Sequence, residues 1–123
     1  VSPGTKVVAA EPAGADDAFR AFKAGRISPQ TDPRTIADGL RTSLSPRTFA
    51  LIQKYVADIV TVEDADTIAA MRLVWERMKI VIEPSSAVPV AAVLSRKLTL
   101  PGHRIGVILS GGNVDLDHLP WLD

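Results

Sequence analysis

Arg104-Ile-Gly-Val-Ile-Leu-Ser-Gly-Gly-Asn-Val-Asp115 is the stretch on which the reading of this chain turns. Ile105, Val107, Ile108 and Leu109 form a short, largely β-branched apolar run with no clean alternation, which predicts a strand covered on both faces. Ser110 then stands at the carboxyl end of that strand. Ligands of open α/β sheets bind in the crevice outside the carboxyl ends of the strands, so the first polar side chain there is placed to touch one. Gly111 and Gly112 let backbone approach a ligand closely. An ordinary strand-ending turn has the same composition, and these residues alone leave both readings open.

Working back from this stretch, Lys97 to His103 reads as a loop. A helix precedes it, capped by Ser85 or Ser86 and running to about Ser95, with Pro89 expected within its first turn, where a missing amide hydrogen costs little. Ile80-Val-Ile82 links it to an earlier helix, opened by Glu63, Asp64 and Asp66, whose expected core stripe is Ile68, Met71, Trp75 and Met78. Asp58-Ile-Val-Thr-Val62 is a strand. Before it, Ser45-Pro46 suits an N-cap followed by a first-position proline, and Phe49, Ile52 and Val56 give the stripe of a helix ending near Val56. Arg26 to Arg34 is a loop leading into Thr35-Ile-Ala-Asp-Gly39. Ala15, Ala18, Phe19 and Phe22 mark a short helix closed by Gly25, after the strand Lys6 to Glu11. Strands alternating with helices predict an α/β fold, a three-layer open sheet with mainly parallel strands.

Composition sets limits on function. The chain has 123 residues, enough for one domain or part of one, and 46% hydrophobic residues supply a core. Its 14 basic and 14 acidic side chains cancel, which gives no electrostatic reason to expect nucleic acid or an anionic membrane as partner. The longest apolar run, Ala87 to Leu94, is too short to span a bilayer. With no cysteine, disulfides and thiolate metal sites are excluded, and a cytoplasmic location is the default. His103 and His118 stand isolated in loop-like sequence, where surface or structural roles fit better than catalysis. Met71, Trp75 and Met78 read as core, and Trp121 as packing on the domain surface or at a subunit contact.

Four segments together resemble a known family. Ala9-Ala-Glu-Pro12 with Ala15-Asp-Asp17, Thr35-Ile-Ala-Asp-Gly39, Val74-Trp-Glu-Arg-Met-Lys79 with Glu83-Pro84, and Ser110-Gly-Gly-Asn-Val-Asp-Leu116 look like the fold-type II pyridoxal-phosphate enzymes. Within these, the likeness is to the group of serine racemases, serine/threonine dehydratases and β-hydroxyaspartate dehydratases. It spans nearly the whole chain, in order, but only the family's C-terminal third. The resemblance implies that residues 1–123 are the C-terminal portion of the cofactor-binding large domain, of the tryptophan synthase β-like kind.

The resemblance also assigns residues. Ser110 corresponds to the hydroxyl that meets the pyridine nitrogen of pyridoxal phosphate, where a neutral group holds no proton on the ring and favours β-elimination over transamination. Gly39 resembles a glycine whose backbone passes beside the cofactor. Glu83 resembles a carboxylate near the ring, although an acid preceding a helix would read similarly without the family. Gly111 and Asn113 would shape the turn. Glu11, Ala15 and Asp17 resemble a divalent-cation site in which two carboxylates and one backbone carbonyl hold magnesium or calcium, hard ions suited to oxygen ligands. By themselves the two acids read as capping or solvated groups.

The family's Schiff-base lysine, its substrate loop and its tetraglycine phosphate cradle all belong upstream and do not occur here. Lys6, Lys23, Lys54, Lys79 and Lys97 lie outside the lysine motif, so none is nominated as catalytic. The chain thus reads as beginning in mid-fold, a fragment expected to be inactive alone and to need the missing N-terminal part. With only a short segment after Asp115, the expectation is an enzyme without a regulatory domain, of the catabolic or racemase-like branch. The implied activity is a lyase, an ammonia-lyase (dehydratase) acting on serine, threonine or 3-hydroxyaspartate in a homodimer. The alternatives are serine racemase or, if the chain is complete as given, a non-catalytic α/β binding module.

Overall fold

The computed structural model describes residues 3–98 and 104–122. Strand β1 (Val7–Pro12) leads into helix α1 (Asp17–Ala24), a 3-10 turn (Asp38–Leu40), and helix α2 (Pro46–Tyr55). The chain then passes without a break into strand β2 (Val56–Val62), helix α3 (Asp64–Met78) and helix α4 (Pro84–Leu94). The two strands pair in parallel, with Ala9 opposite Ile59 and Glu11 opposite Thr61, and an irregularity between Val7 and Val8. The expected parallel α/β arrangement is therefore present.

Local chemistry explains most of the boundaries. Ser45 caps α2 in a reciprocal box: its Oγ accepts the Thr48 amide at 3.2 Å while Thr48 Oγ1 accepts the Ser45 amide at 3.0 Å, and Pro46 follows in the first turn. Gly25 ends α1 in the left-handed region at φ 68°. Helix α1 has no side-chain cap of its own. Its orphan amides are taken by the strand before it, since Glu11 accepts the amides of Ala18 at 3.3 Å and Phe19 at 2.7 Å.

Packing places helices on both faces of the strand pair. Val60 and Val62 join Ala10 in a cluster with Ala70 of α3 and Val88, Ala91 and Ala92 of α4. Ile59 alternates with them and is buried on the opposite face, where β2 meets α1 and α2. A second cluster joins Met71 and Val74 of α3 to Ile82 and Ala87, with Trp75, Leu109, Val114 and Trp121 packed against it. Trp75 and Trp121 meet edge to face at 5.3 Å, so the C-terminal segment is pinned to the domain surface as the sequence suggested.

Four expectations need correction. The run Ile105 to Leu109 is not a strand; it has no ladder partner among the described residues, and Ile108 is 83% exposed. Apolar, β-branched sequence supplies propensity, whereas a strand exists only by pairing with a neighbour. The buried stripe of α3 is Thr67, Ala70, Met71 and Val74, rotated from the expected one, and Met78 is 57% exposed, because α4 covers the face carrying the small residues. Helix α1 likewise buries Asp17, Ala18 and Ala21, leaving Phe19 and Phe22 half-buried beside the Lys23 ammonium. Finally, α4 is capped at Glu83 and starts at Pro84, so Pro89 lies inside the helix rather than in its first turn. Ser85 and Ser86 are helical residues, free for other contacts.

Candidate functional site

The polar turn after Leu109 docks on the N-terminal end of α4. Glu83, the residue preceding that helix, donates its amide to Gly111 O at 3.0 Å and accepts the Asn113 amide on Oε2 at 3.2 Å. Ser86, one turn into the helix, accepts the Gly111 amide on Oγ at 2.8 Å. Its hydroxyl also lies 2.8 Å from Gly111 O and 3.2 Å from Ser110 Oγ. Sequence positions 83–86 and 110–113 thus form one tight constellation.

Glycine is required in this turn by space. A Cβ on Gly111 would stand 2.7 Å from Glu83 Oε1, and one on Gly112 would stand 2.6 Å from the Val81 carbonyl oxygen. Trp75 helps hold the floor, its indole N–H donating to Ile82 O at 2.9 Å.

Gly39 reaches the same helix end from another part of the chain, with a Cβ position 3.0 Å from Ser85 Oγ. The loop carrying it is fixed from below. Thr35, buried, donates its hydroxyl to Asp64 Oδ1 at 2.6 Å, Asp64 Oδ2 accepts the Ile36 amide at 3.0 Å, and the Arg41 guanidinium donates to Thr35 O. The structure therefore brings together Ser110, Gly111, Asn113, Glu83 and Gly39, which the sequence had placed in one site. It adds Ser86, read from sequence only as a possible cap, and the Thr35–Asp64 clamp, for which the chain gave no local signal.

Glu11, Ala15 and Asp17 lie at the end of β1 and the start of α1. Ala15 is buried, its amide bonded to Pro12 O at 3.0 Å, and Asp17 is 2% exposed with Oδ2 accepting the Leu44 amide at 3.0 Å. Burial pushes the Glu11 carboxyl up to about 7, with the negative charges of Asp17 and Asp16 adding to the rise and the Phe19 and Ala18 amides opposing it. Among the described residues no three or more His, Cys, Asp or Glu side chains come together as a metal cluster. A cation here would rest on two carboxylates and a backbone carbonyl.

Of the remaining residues singled out, His118 pairs with Asp115 at 2.9 Å on the surface, and His103 lies outside the described residues. Lys23 is engaged with Asp58 at 3.0 Å. No described helix is long and apolar enough to cross a membrane.

The chain is similar in sequence and fold to known proteins. A family profile described as "Pyridoxal-phosphate dependent enzyme" matches residues 1–111. The chain is 50% identical over 121 residues to the β-hydroxyaspartate dehydratase of Paracoccus denitrificans, covering 98% of this chain and 38% of that protein. It is 45% identical over 123 residues to the serine racemase of Dictyostelium discoideum, covering 97% of this chain and 38% of that protein. Among solved structures, maize serine racemase superposes with a TM-score of 0.90 at 39% identity, over 94% of this chain and 38% of that one. The threonine deaminase of T.th. gives a TM-score of 0.87 at 46% identity, over 94% of this chain and 42% of that one. The chain thus spans about two fifths of the length of these relatives. With the profile covering nine tenths of its sequence, the chain belongs to the fold-type II pyridoxal-phosphate-dependent enzymes.

Proposed function

We propose that this chain is the C-terminal portion of the cofactor-binding large domain of an ammonia-lyase that converts a β-hydroxy amino acid to a keto acid and ammonia. The observation that carries the reading is the joining of Ser110, Gly111, Asn113 and Glu83 at the head of α4, with Gly39 beside them. The donor set fits the ring end of pyridoxal phosphate. Ser110 would offer its neutral hydroxyl to the pyridine nitrogen, and its hydroxyl neighbour, Ser86, is neutral too. When bound, pyridoxal phosphate supplies a sink for the electron pair left when the α-proton is removed. The work of these residues is then to bind and orient the ring and to leave its nitrogen unprotonated. The substrate loses its α-proton and β-hydroxyl as water, and hydrolysis of the resulting enamine releases ammonia and the keto acid. The acid–base lysine would come from the N-terminal part of the enzyme, and the whole would work as a homodimer in the cytoplasm.

The cation reading rests on the Glu11 and Asp17 carboxylates. Two largely buried acids on either side of the β1–α1 turn, Glu11 with its carboxyl pushed up to about 7, form an environment that magnesium or calcium would relieve.

Serine, threonine and 3-hydroxyaspartate are the candidate substrates, and the 50% identity to a β-hydroxyaspartate dehydratase supports elimination. Serine racemases at 40–45% identity support the second reading, in which the α-carbon is reprotonated on its other face. The test incubates the full-length protein and pyridoxal phosphate with each amino acid, measuring keto acid and enantiomer together. Keto acid as the main product, strongly reduced in Ser110→Ala, is expected. Enantiomer without keto acid would overturn the dehydratase reading in favour of the racemase, and neither product would overturn both.

A further inference from the structure

Ser86 is almost fully enclosed, 1% exposed, yet carries a hydroxyl in a helix otherwise lined by alanine and valine on its buried side. A hydroxyl has one proton and two acceptor sites. The Gly111 amide, which can only donate, occupies one acceptor site at 2.8 Å. The Gly111 carbonyl, which can only accept, takes the Ser86 proton at 2.8 Å and also receives the Glu83 amide at 3.0 Å. What remains for Ser110, at 3.2 Å, is the second acceptor site of Ser86. Ser110 therefore receives no proton from Ser86 and can act only as a donor: without cofactor its one proton goes to Ser86 across the longer 3.2 Å contact, and it must turn from there to reach a ring nitrogen.

We propose that Ser86 is a positioning residue that fixes Ser110 as a hydrogen-bond donor to the ring nitrogen of the cofactor. The inference rests on the assignment of Ser110 to that nitrogen made above. It explains why a buried hydroxyl stands at this point of α4. Ser86 ties both the amide and the carbonyl of Gly111, so the peptide after Ser110 cannot rotate, and its own proton is committed away from Ser110. The Ser110 proton exchanges its 3.2 Å contact with Ser86 for the ring nitrogen when the cofactor binds, while the Gly111 peptide held by Ser86 keeps the Ser110 side chain in place.

The test is a double-mutant cycle in the full-length protein with Ser86→Ala, Ser110→Ala and the pair, reading pyridoxal phosphate affinity by equilibrium dialysis and the melting temperature of the cofactor-free forms. Each single variant is expected to weaken binding by up to about tenfold, the scale of one neutral hydrogen bond. The pair should bind no more weakly than Ser110→Ala alone. A Ser86→Ala loss of equal size with and without the Ser110 hydroxyl would mark a merely structural hydroxyl and overturn the proposal. Wild-type affinity in Ser110→Ala would instead overturn the site assignment and the proposal with it, so the two failures are distinguishable. If Ser86→Ala does not accumulate folded, Ser86→Cys, close in size but a weak hydrogen-bonding group, is taken through the same cycle and judged by the same outcomes.

Discussion

Thr35 and Asp64 are held together across 29 positions of sequence, hydroxyl to carboxylate at 2.6 Å. The second Asp64 oxygen takes the Ile36 amide at 3.0 Å, so one carboxylate at the start of α3 anchors the whole loop that delivers Gly39 to the head of α4. Asp64→Ala would leave a buried hydroxyl and an amide without their charged acceptor. We expect a loss of about 2–3 kcal/mol, the cost of stranding buried donors, together with weaker cofactor retention. Urea denaturation of the full-length protein measures it, and an unchanged midpoint would contradict the clamp.

Glu11 imposes a pH dependence. Its carboxyl is raised from 4.5 to about 7 by burial, reinforced by the charges of Asp17 and Asp16, so the folded state favours the protonated form. Its contribution to stability is fully present below 4.5 and is lost as the pH rises towards 7, where the folded protein must ionise a desolvated acid. In chelator-treated protein, Glu11→Gln should remove this decline. Melting curves of wild type and variant that stay parallel across the window would refute it.

The cation reading makes a separate demand. Magnesium or calcium at a hundredfold excess over its dissociation constant should stabilise the full-length protein by roughly 2.7 kcal/mol through binding to the folded state alone. Asp17 also accepts the Leu44 amide, so Asp17→Ala will lower the melting temperature with or without metal. The informative quantity is the gain on adding metal. That gain should disappear in Asp17→Ala, and its persistence would remove Asp17 from the site while leaving the family assignment intact.

The sequence by itself determined the local features, because their causes are local. Ser45, Pro46 and Thr48 start α2 through bonds within four residues, Gly25 stops α1 by adopting a left-handed conformation, and the apolar strands β1 and β2 read directly from composition. The family motifs likewise picked out Ser110, Gly39, Glu83, Gly111 and Asn113 before any distance was known. Tertiary structure decided whatever depended on a distant partner. Which stripe of α3 is buried follows from where α4 lies against it, and the run Ile105 to Leu109, strand-like in composition, gains no ladder without a neighbour. The cap of α1 comes from Glu11 in the preceding strand rather than from Asp16. Ser86 changed most, from a possible helix cap to the buried hydroxyl holding Gly111 and facing Ser110. A hydrogen bond between residues 24 positions apart leaves no periodicity in the chain, and only the folding of the 110–113 turn onto α4 creates it.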